Sequence, residues 1–256
     1  MPVDVLPVGE GPSKKKLKTE VPLFSAPKKD SNAEIWKSNV WKKVDGSVEP
    51  VIELDDEPHH HVSFVNDYTK IITIKMEPHD TTLAHRHAKD TIIIICMENG
   101  VDFINDVMGC LPQMGHMEFG QVGFGPYTTN PCVHKITNIT PTPFFVVNVE
   151  VLSKPPITQN EVLKADCHTL VKDQPNCRVY KLSLKPGQST DGTYGFFYVQ
   201  VVLRGSEIKT MLMEDDSLSW TESFKMGDSE WKEPRLKHTI KNVGKSVYEA
   251  YICEFV

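Results

Sequence analysis

From residue 35 onward the chain is cut every few residues by Gly, Pro, Asn or Asp into short runs rich in β-branched and aromatic side chains. Runs of that kind suit a pleated surface and leave little room for helical periodicity, which is the pattern of antiparallel sheet. Strands are expected at 49–54, 61–65, 69–76, 91–97, 101–107, 121–124, 133–139, 144–152, 178–184, 195–203, 207–213, 217–223, 237–242 and 247–255. One short helix is expected at 159–165, with Thr158 as N-cap and Glu161 in its first turn.

The runs repeat. Ile74-Lys-Met-Glu-Pro78 matches Leu182-Ser-Leu-Lys-Pro186 at an offset of 108, Glu98-Asn-Gly100 matches Leu203-Arg-Gly205 at 105, and His134-Lys-Ile-Thr-Asn138 matches His238-Thr-Ile-Lys-Asn242 at 104. Near-constant spacing over three matches implies two related β-lobes, 33–155 and 156–256, joined near 153–170. Ahead of them, residues 1–32 carry five prolines and the basic run Lys14-Lys-Lys-Leu-Lys18, with too few apolar side chains to offset the entropy of ordering; a disordered basic tail is expected. Lys14 to Lys18 is the one feature that would suit nuclear import; otherwise a cytoplasmic location is expected.

Composition narrows the function classes. With 28 basic against 34 acidic side chains the net charge is -6, so the chain as a whole is not drawn to nucleic acid or to an anionic membrane. No apolar run reaches the roughly 18 residues of a spanning helix. The six cysteines, at 96, 110, 132, 167, 177 and 253, include no C-x-x-C pair, which argues against zinc ribbons, redox pairs and disulfides; Cys96, inside Ile92-Ile-Ile-Ile-Cys-Met97, reads as a small buried hydrophobe.

The chemistry concentrates in the first lobe. His85 and His87 are two residues apart, a step that returns an extended chain to the same face, so both imidazoles can address one point. His134 follows about fifty residues later with Asn138 behind it, close to the Gly-rich stretch Gly120 to Pro126. This pattern resembles the cupin superfamily, in which His-x-His on one strand and a later His-x-x-x-Asn bring ligands together inside a jelly-roll barrel. Because it covers both lobes, the resemblance implies an all-β fold of two tandem cupin-like jelly-roll barrels. In the family's fuller first motif a glutamate follows the histidines; Thr91 stands in its place here, while Gly100 closes the motif. In the second motif His134 and Asn138 match, with Pro131 and Thr129 in place of a glycine and a proline.

The resemblance implies a divalent transition metal on His85, His87 and His134. Three neutral imidazoles without a carboxylate suit iron(II) ahead of manganese, nickel or zinc, as in related three-histidine dioxygenases. A metal-dependent enzyme acting on a small polar molecule, most readily by oxygen-dependent chemistry, is the leading expectation; a non-catalytic cupin that binds a small ligand, with a structural metal or none, is the alternative. Tyr127 and Tyr68 are the candidate catalytic hydroxyls, and Arg86 and Lys89 candidate contacts for a substrate carboxylate, although Arg86, between two inward histidines, should point outward. Asp90, His79 and His116 are further candidates to complete the site, whereas the run His59-His60-His61 is expected to have no native role. The second lobe has no histidine in its corresponding loop 185–195 and keeps His238 beside Asn242; it is expected to lack metal and to serve packing. Free strand edges leave room for a homodimer.

Overall fold

The computed structural model describes residues 35–256 apart from Val44, Thr193, Glu214 and Leu236. The expected tail at 1–32 lies outside the described residues. Among those described, helix is confined to two 3-10 turns, Ile35–Lys37 and Leu54–Asp56, and strand dominates.

The first lobe closes two five-stranded sheets over one another. One runs Val122–Gly125, Thr91–Ile95, Phe144–Val151, Thr69–Met76, His60–Val65; the other runs Ile52–Glu53, His85–His87, Cys132–Asn138, Val101–Val107, Gln113–Met117. The second lobe repeats the plan with a five-stranded sheet, His168–Gln174, Cys177–Leu184, Tyr248–Phe255, Tyr198–Arg204, Ser229–Lys232, facing a four-stranded one, Ser189–Gly192, His238–Asn242, Glu207–Leu212, Asp215–Ser223. Pairing is antiparallel throughout these sheets except for Ile52–Glu53, which lies parallel to the His85–His87 strand.

The unbroken isoleucine run has a simple cause. Every residue of Thr91–Ile95 is buried, since Ile93 and Ile95 face the barrel interior while Ile92 and Ile94 face a second core that the two lobes share. That shared core joins Val147 and Val149 to Val179, Val199, Val201 and Cys253 across the lobe boundary. Each such side chain contributes roughly 1.5–3 kcal/mol when fully buried, so this sheet-on-sheet face, not the linker, holds the lobes together. Around its rim Trp231 stacks on Tyr68 and Phe197 at centroid separations of 5.9 and 5.3 Å, the Asn176 amide donates to Asp90 Oδ2 at 2.7 Å, and the Tyr251 hydroxyl donates to the Gly120 carbonyl. The packing role expected of the second lobe is thus met within the chain.

The repeat is visible atom by atom at the two asparagines. Both are fully buried. Asn138 donates to the carbonyls of Glu77 and Thr142 and accepts from Thr140; Asn242 donates to those of Leu184 and Ser246 and accepts from Gly244 and Ser206. Each pins the turn after a barrel strand from the inside. The matched glycines are steric: a Cβ at Gly100 would lie 2.7 Å from the Met117 carbonyl oxygen, and one at Gly205 only 2.0 Å from that of Phe224.

The expected helix at 159–165 is not formed; this segment has neither helix nor strand. The Arg178 guanidinium donates to the carbonyls of Gln159, Asn160 and Glu161, and the Leu163 N–H donates to the Tyr180 hydroxyl, so the groups a first helical turn would use are bonded elsewhere. All six cysteines are free, and burial pushes the Cys96 thiol up to about 12.

Candidate metal centre

The His85–His87 strand is only three residues long, and its burial alternates, so Arg86 turns out while both imidazoles turn in. Arg86 is held there by the carbonyls of Trp36 and Ser38 and by Glu53. Across the ladder His134 pairs directly with His85, and Cys132 with His87, which sets the third imidazole beside the first two. Ring centroids are 5.1 Å apart for His85 and His87, 4.7 Å for His85 and His134, and 4.9 Å for His87 and His134.

A fourth imidazole completes the group. His60, from the facing sheet, lies 4.6 Å from His85 and 6.4 Å from His87 by ring centroid. One ligand atom each from His60, His85 and His87 lies within 4.8 Å of the others, a set that does not include His134, against separations of about 3–4.2 Å for nitrogens sharing an ion at roughly 2.1 Å. The run 59–61, expected to have no native role, thus places His60 beside the expected imidazoles. In that run the side chains diverge: His61 is exposed, His59 turns to Glu57 and Asp80, and His60 is buried against the site. The repeat offers the signal that could have found it, because His60 pairs with Ile74 and His168 pairs with Leu182, at the same offset of 108 as the matched strands.

Backbone and carboxylate partners orient the rings. His85 Nδ1 lies 2.8 Å from the Leu83 carbonyl, His134 Nδ1 2.9 Å from Asn105 Oδ1, and His60 Nδ1 2.6 Å from Glu57 Oε2. A ring that donates from Nδ1 presents the Nε2 lone pair at its other end. His85 Nε2 and His87 Nδ1 are buried without a hydrogen-bond partner among the described residues. Leaving a buried acceptor unpaired costs about 1–3 kcal/mol, so two together mark a site made for something else to bind.

Electrostatics keep those lone pairs free. Burial, then the neighbouring His134 and His60, holds His85 well below the usual imidazole range, and burial with His134, His85 and His60 does the same to His87. His134 is pushed down to about 3 by burial and then His60. Neutral imidazole is the form that ligates metal. Behind His60 sits the Glu57 carboxylate. Burial alone would raise the Glu57 carboxyl, but hydrogen bonds from His60, His59 and the Leu83 N–H outweigh it and hold it well below the usual range. The donor set and its unpaired nitrogens fit a divalent transition ion.

The other expected residues divide. Tyr127 is buried, stacks on His87 at 4.7 Å and lines the same cavity; burial, then Cys132, keeps its hydroxyl protonated far above neutrality. A Cβ at Gly125 would fall 2.2 Å from the Tyr127 ring, which explains a glycine there. Tyr68, by contrast, lies in the lobe boundary against Trp231 and Phe197 and does not line the cavity, because it sits in the turn between His60–Val65 and Thr69–Met76 that abuts the second lobe. Asp90 accepts from Thr128 N–H and Asn176, which turns it to the boundary too. Thr91 donates to the Lys89 carbonyl, Lys89 and His79 are exposed, and His116 pairs with Asp102 and Glu118 at the surface. None of these reaches the imidazoles.

Comparison with known proteins finds no matching family model and no similar curated protein. Among solved structures, the fold is similar to oxalate decarboxylase from Lactobacillus farciminis in a formate complex, at TM-score 0.52 and 10% identity over 74% of this chain and 77% of that one. It is likewise similar to salicylate 1,2-dioxygenase from Pseudoaminobacter salicylatoxidans with gentisate, at TM-score 0.50 and 11% identity over 74% of this chain and 69% of that one. Identities this low speak to architecture. Two jelly-roll barrels in tandem, histidines on the expected strands of the first and the likeness to these solved structures together give this chain the fold of the cupin superfamily.

Proposed function

We propose that the first barrel is a metal-dependent catalytic centre, in which His60, His85, His87 and His134 hold one divalent transition ion, iron(II) ahead of manganese, nickel or zinc, and act on a small molecule with dioxygen as co-substrate. The observation that carries this reading is the pair of buried, unpartnered nitrogens on His85 and His87 within a ring of neutral imidazoles. Both solved structures cited above belong to enzymes, one of them a dioxygenase, which supports this reading. A bound ion would supply Lewis acidity and, as iron(II), one-electron redox chemistry at open positions.

The chain's own groups do the rest. Leu83 and Asn105 fix His85 and His134 with their free nitrogens inward, and Glu57 does so for His60 while placing one negative charge behind the cluster. The Tyr127 hydroxyl stays protonated and serves as a hydrogen-bond donor beside His87. Asn148 Oδ1, also buried without a partner, offers an acceptor at the wall, and the hydrocarbon around these groups excludes water.

Metal analysis of untagged protein tests the reading. About one equivalent of transition metal is expected, lost in the His85→Ala/His87→Ala double variant, with oxygen uptake on a panel of thiols, ketones and acids. Metal retained by the double variant refutes the site; metal bound without oxygen consumption on any compound supports the ligand-binding alternative instead.

A further inference from the structure

The imidazoles border a cavity of about 60 Å³, which holds roughly five water-sized groups. Its walls are hydrocarbon. Ile93, Ile95 and Val146 come from one sheet and Phe103 and Met117 from the other, and all are buried. Besides histidine, the polar side chains lining it are Thr82, Tyr127 and Asn148, each uncharged; among the described residues no Arg, Lys, Asp or Glu lines it.

The sister barrel shows that this is not imposed by the fold. Its own interior space, about 20 Å³, is bordered by Glu222, Lys232 and Arg235 on the same jelly-roll plan. Charged side chains border that space, whereas none among the described residues borders the cavity of the first barrel.

We propose that the compound taken by the histidine site is compact, with a single donor group turned to the imidazoles and an uncharged, apolar body. The proposal rests on the metal reading for the donor end and on the cavity walls for the body. A second charge, as in a dicarboxylate or an amino-acid zwitterion, would enter hydrocarbon with no counter-ion to meet it and would bind at least about 100-fold more weakly.

Propane-1-thiol and 2-aminoethanethiol test it, since they match in length and non-hydrogen atom count and differ by an ammonium group. Both are titrated into the full-length protein, metal-free and loaded with cobalt(II), while isoleucine methyl resonances and the cobalt absorption bands are recorded. Propane-1-thiol should move the Ile93 and Ile95 methyls in both forms and bind about 100-fold more tightly than the aminothiol. Equal or tighter binding of the aminothiol overturns the proposal, as does failure of both compounds to move those methyls. If cobalt does not bind but the methyls respond selectively, the metal reading falls and the substrate class stands.

Discussion

Glu57→Gln tests how the fourth imidazole is held. The carboxylate accepts four hydrogen bonds: from His59 Nδ1 at 2.9 Å and the Leu83 N–H at 3.1 Å on Oε1, and from the His59 N–H at 2.8 Å and His60 Nδ1 at 2.6 Å on Oε2. A carboxamide keeps one oxygen, so in either orientation its NH2 faces one backbone N–H that cannot become an acceptor. Stranding that group costs about 1–3 kcal/mol. If the NH2 faces the Oε2 side, His60 must accept at Nδ1 and carry its proton on Nε2, which removes it as a ligand; in the other orientation His60 keeps its tautomer but loses the charge behind it. Loss of such an outer partner lowers metal affinity about 10–100-fold. Competition of cobalt(II) against a chelating dye reads the affinity, and urea midpoints of metal-free protein read the stability. Unchanged affinity together with reduced stability would show that Glu57 braces the 57–60 turn and has no part in holding a metal.

Three further outcomes follow from the geometry. In metal-free protein the histidines should make the fold acid-labile: His134 sits at about 3 folded against about 6.5 unfolded, so its contribution is complete above pH 6.5 and drains as pH falls toward 3, reaching a loss of about 2 kcal/mol at pH 5. His85 and His87 shift in the same direction, while the depressed Glu57 adds its loss only below about pH 4.5, and a flat denaturation profile from pH 7 to 5 would contradict this. Asn138→Ala and Asn242→Ala should each lower unfolding free energy by about 3 kcal/mol or more, and the Asn242 variant should keep its metal content. Trp231→Ala should cost about 3 kcal/mol by chemical denaturation through the lobe boundary, with cobalt affinity within a factor of two or so of the parent.

Period-two alternation made the long strands readable except His168–Gln174, which was not expected, and the isoleucine run showed a strand buried on both faces. It did not reveal the short ones. His85–His87, Gln113–Met117 and Ser189–Gly192 carry too few apolar residues to show a pattern, and they become strands only because neighbours already in place offer a ladder. The helix expectation at 159–165 failed for a related reason: capping signals are local, and Arg178, distant in sequence, claims the carbonyls they would have served. In the site, the convergence of His85, His87 and His134 was legible because the three occur at fixed spacing on paired strands. His60 was hidden in a run that resembles a solvated tag, and its burial depends on which of three consecutive residues begins the strand. Tyr68 was misplaced because a hydroxyl at a strand end faces either the barrel or the other lobe, and only the second lobe's position decides between them.

The second barrel explains how one backbone plan can gather imidazoles around a cavity or fill the same space with a phenol ring. Across from His238 the ladder places Gly192, where the first lobe has His85 across from His134. Two residues further on, Tyr194 takes the position of His87, and its buried ring lies 5.3 Å from His238 and 4.9 Å from Tyr198. Its hydroxyl is 2.5 Å from Nε2 of His168, the counterpart of His60. Two of the four imidazole positions therefore persist, but a phenol ring occupies the space between them and a glycine makes the room for it: a Cβ at position 192 would stand 3.3 Å from His238 Nε2. A ring packed against four aromatic neighbours fills the interior without any ion, whereas in the first lobe the same volume is ringed by imidazoles, two of whose buried nitrogens have no hydrogen-bond partner among the described residues. The contrast assigns the difference between the lobes to two side chains, and it makes the unpartnered nitrogens of the first barrel a property of its sequence and not of the shared fold.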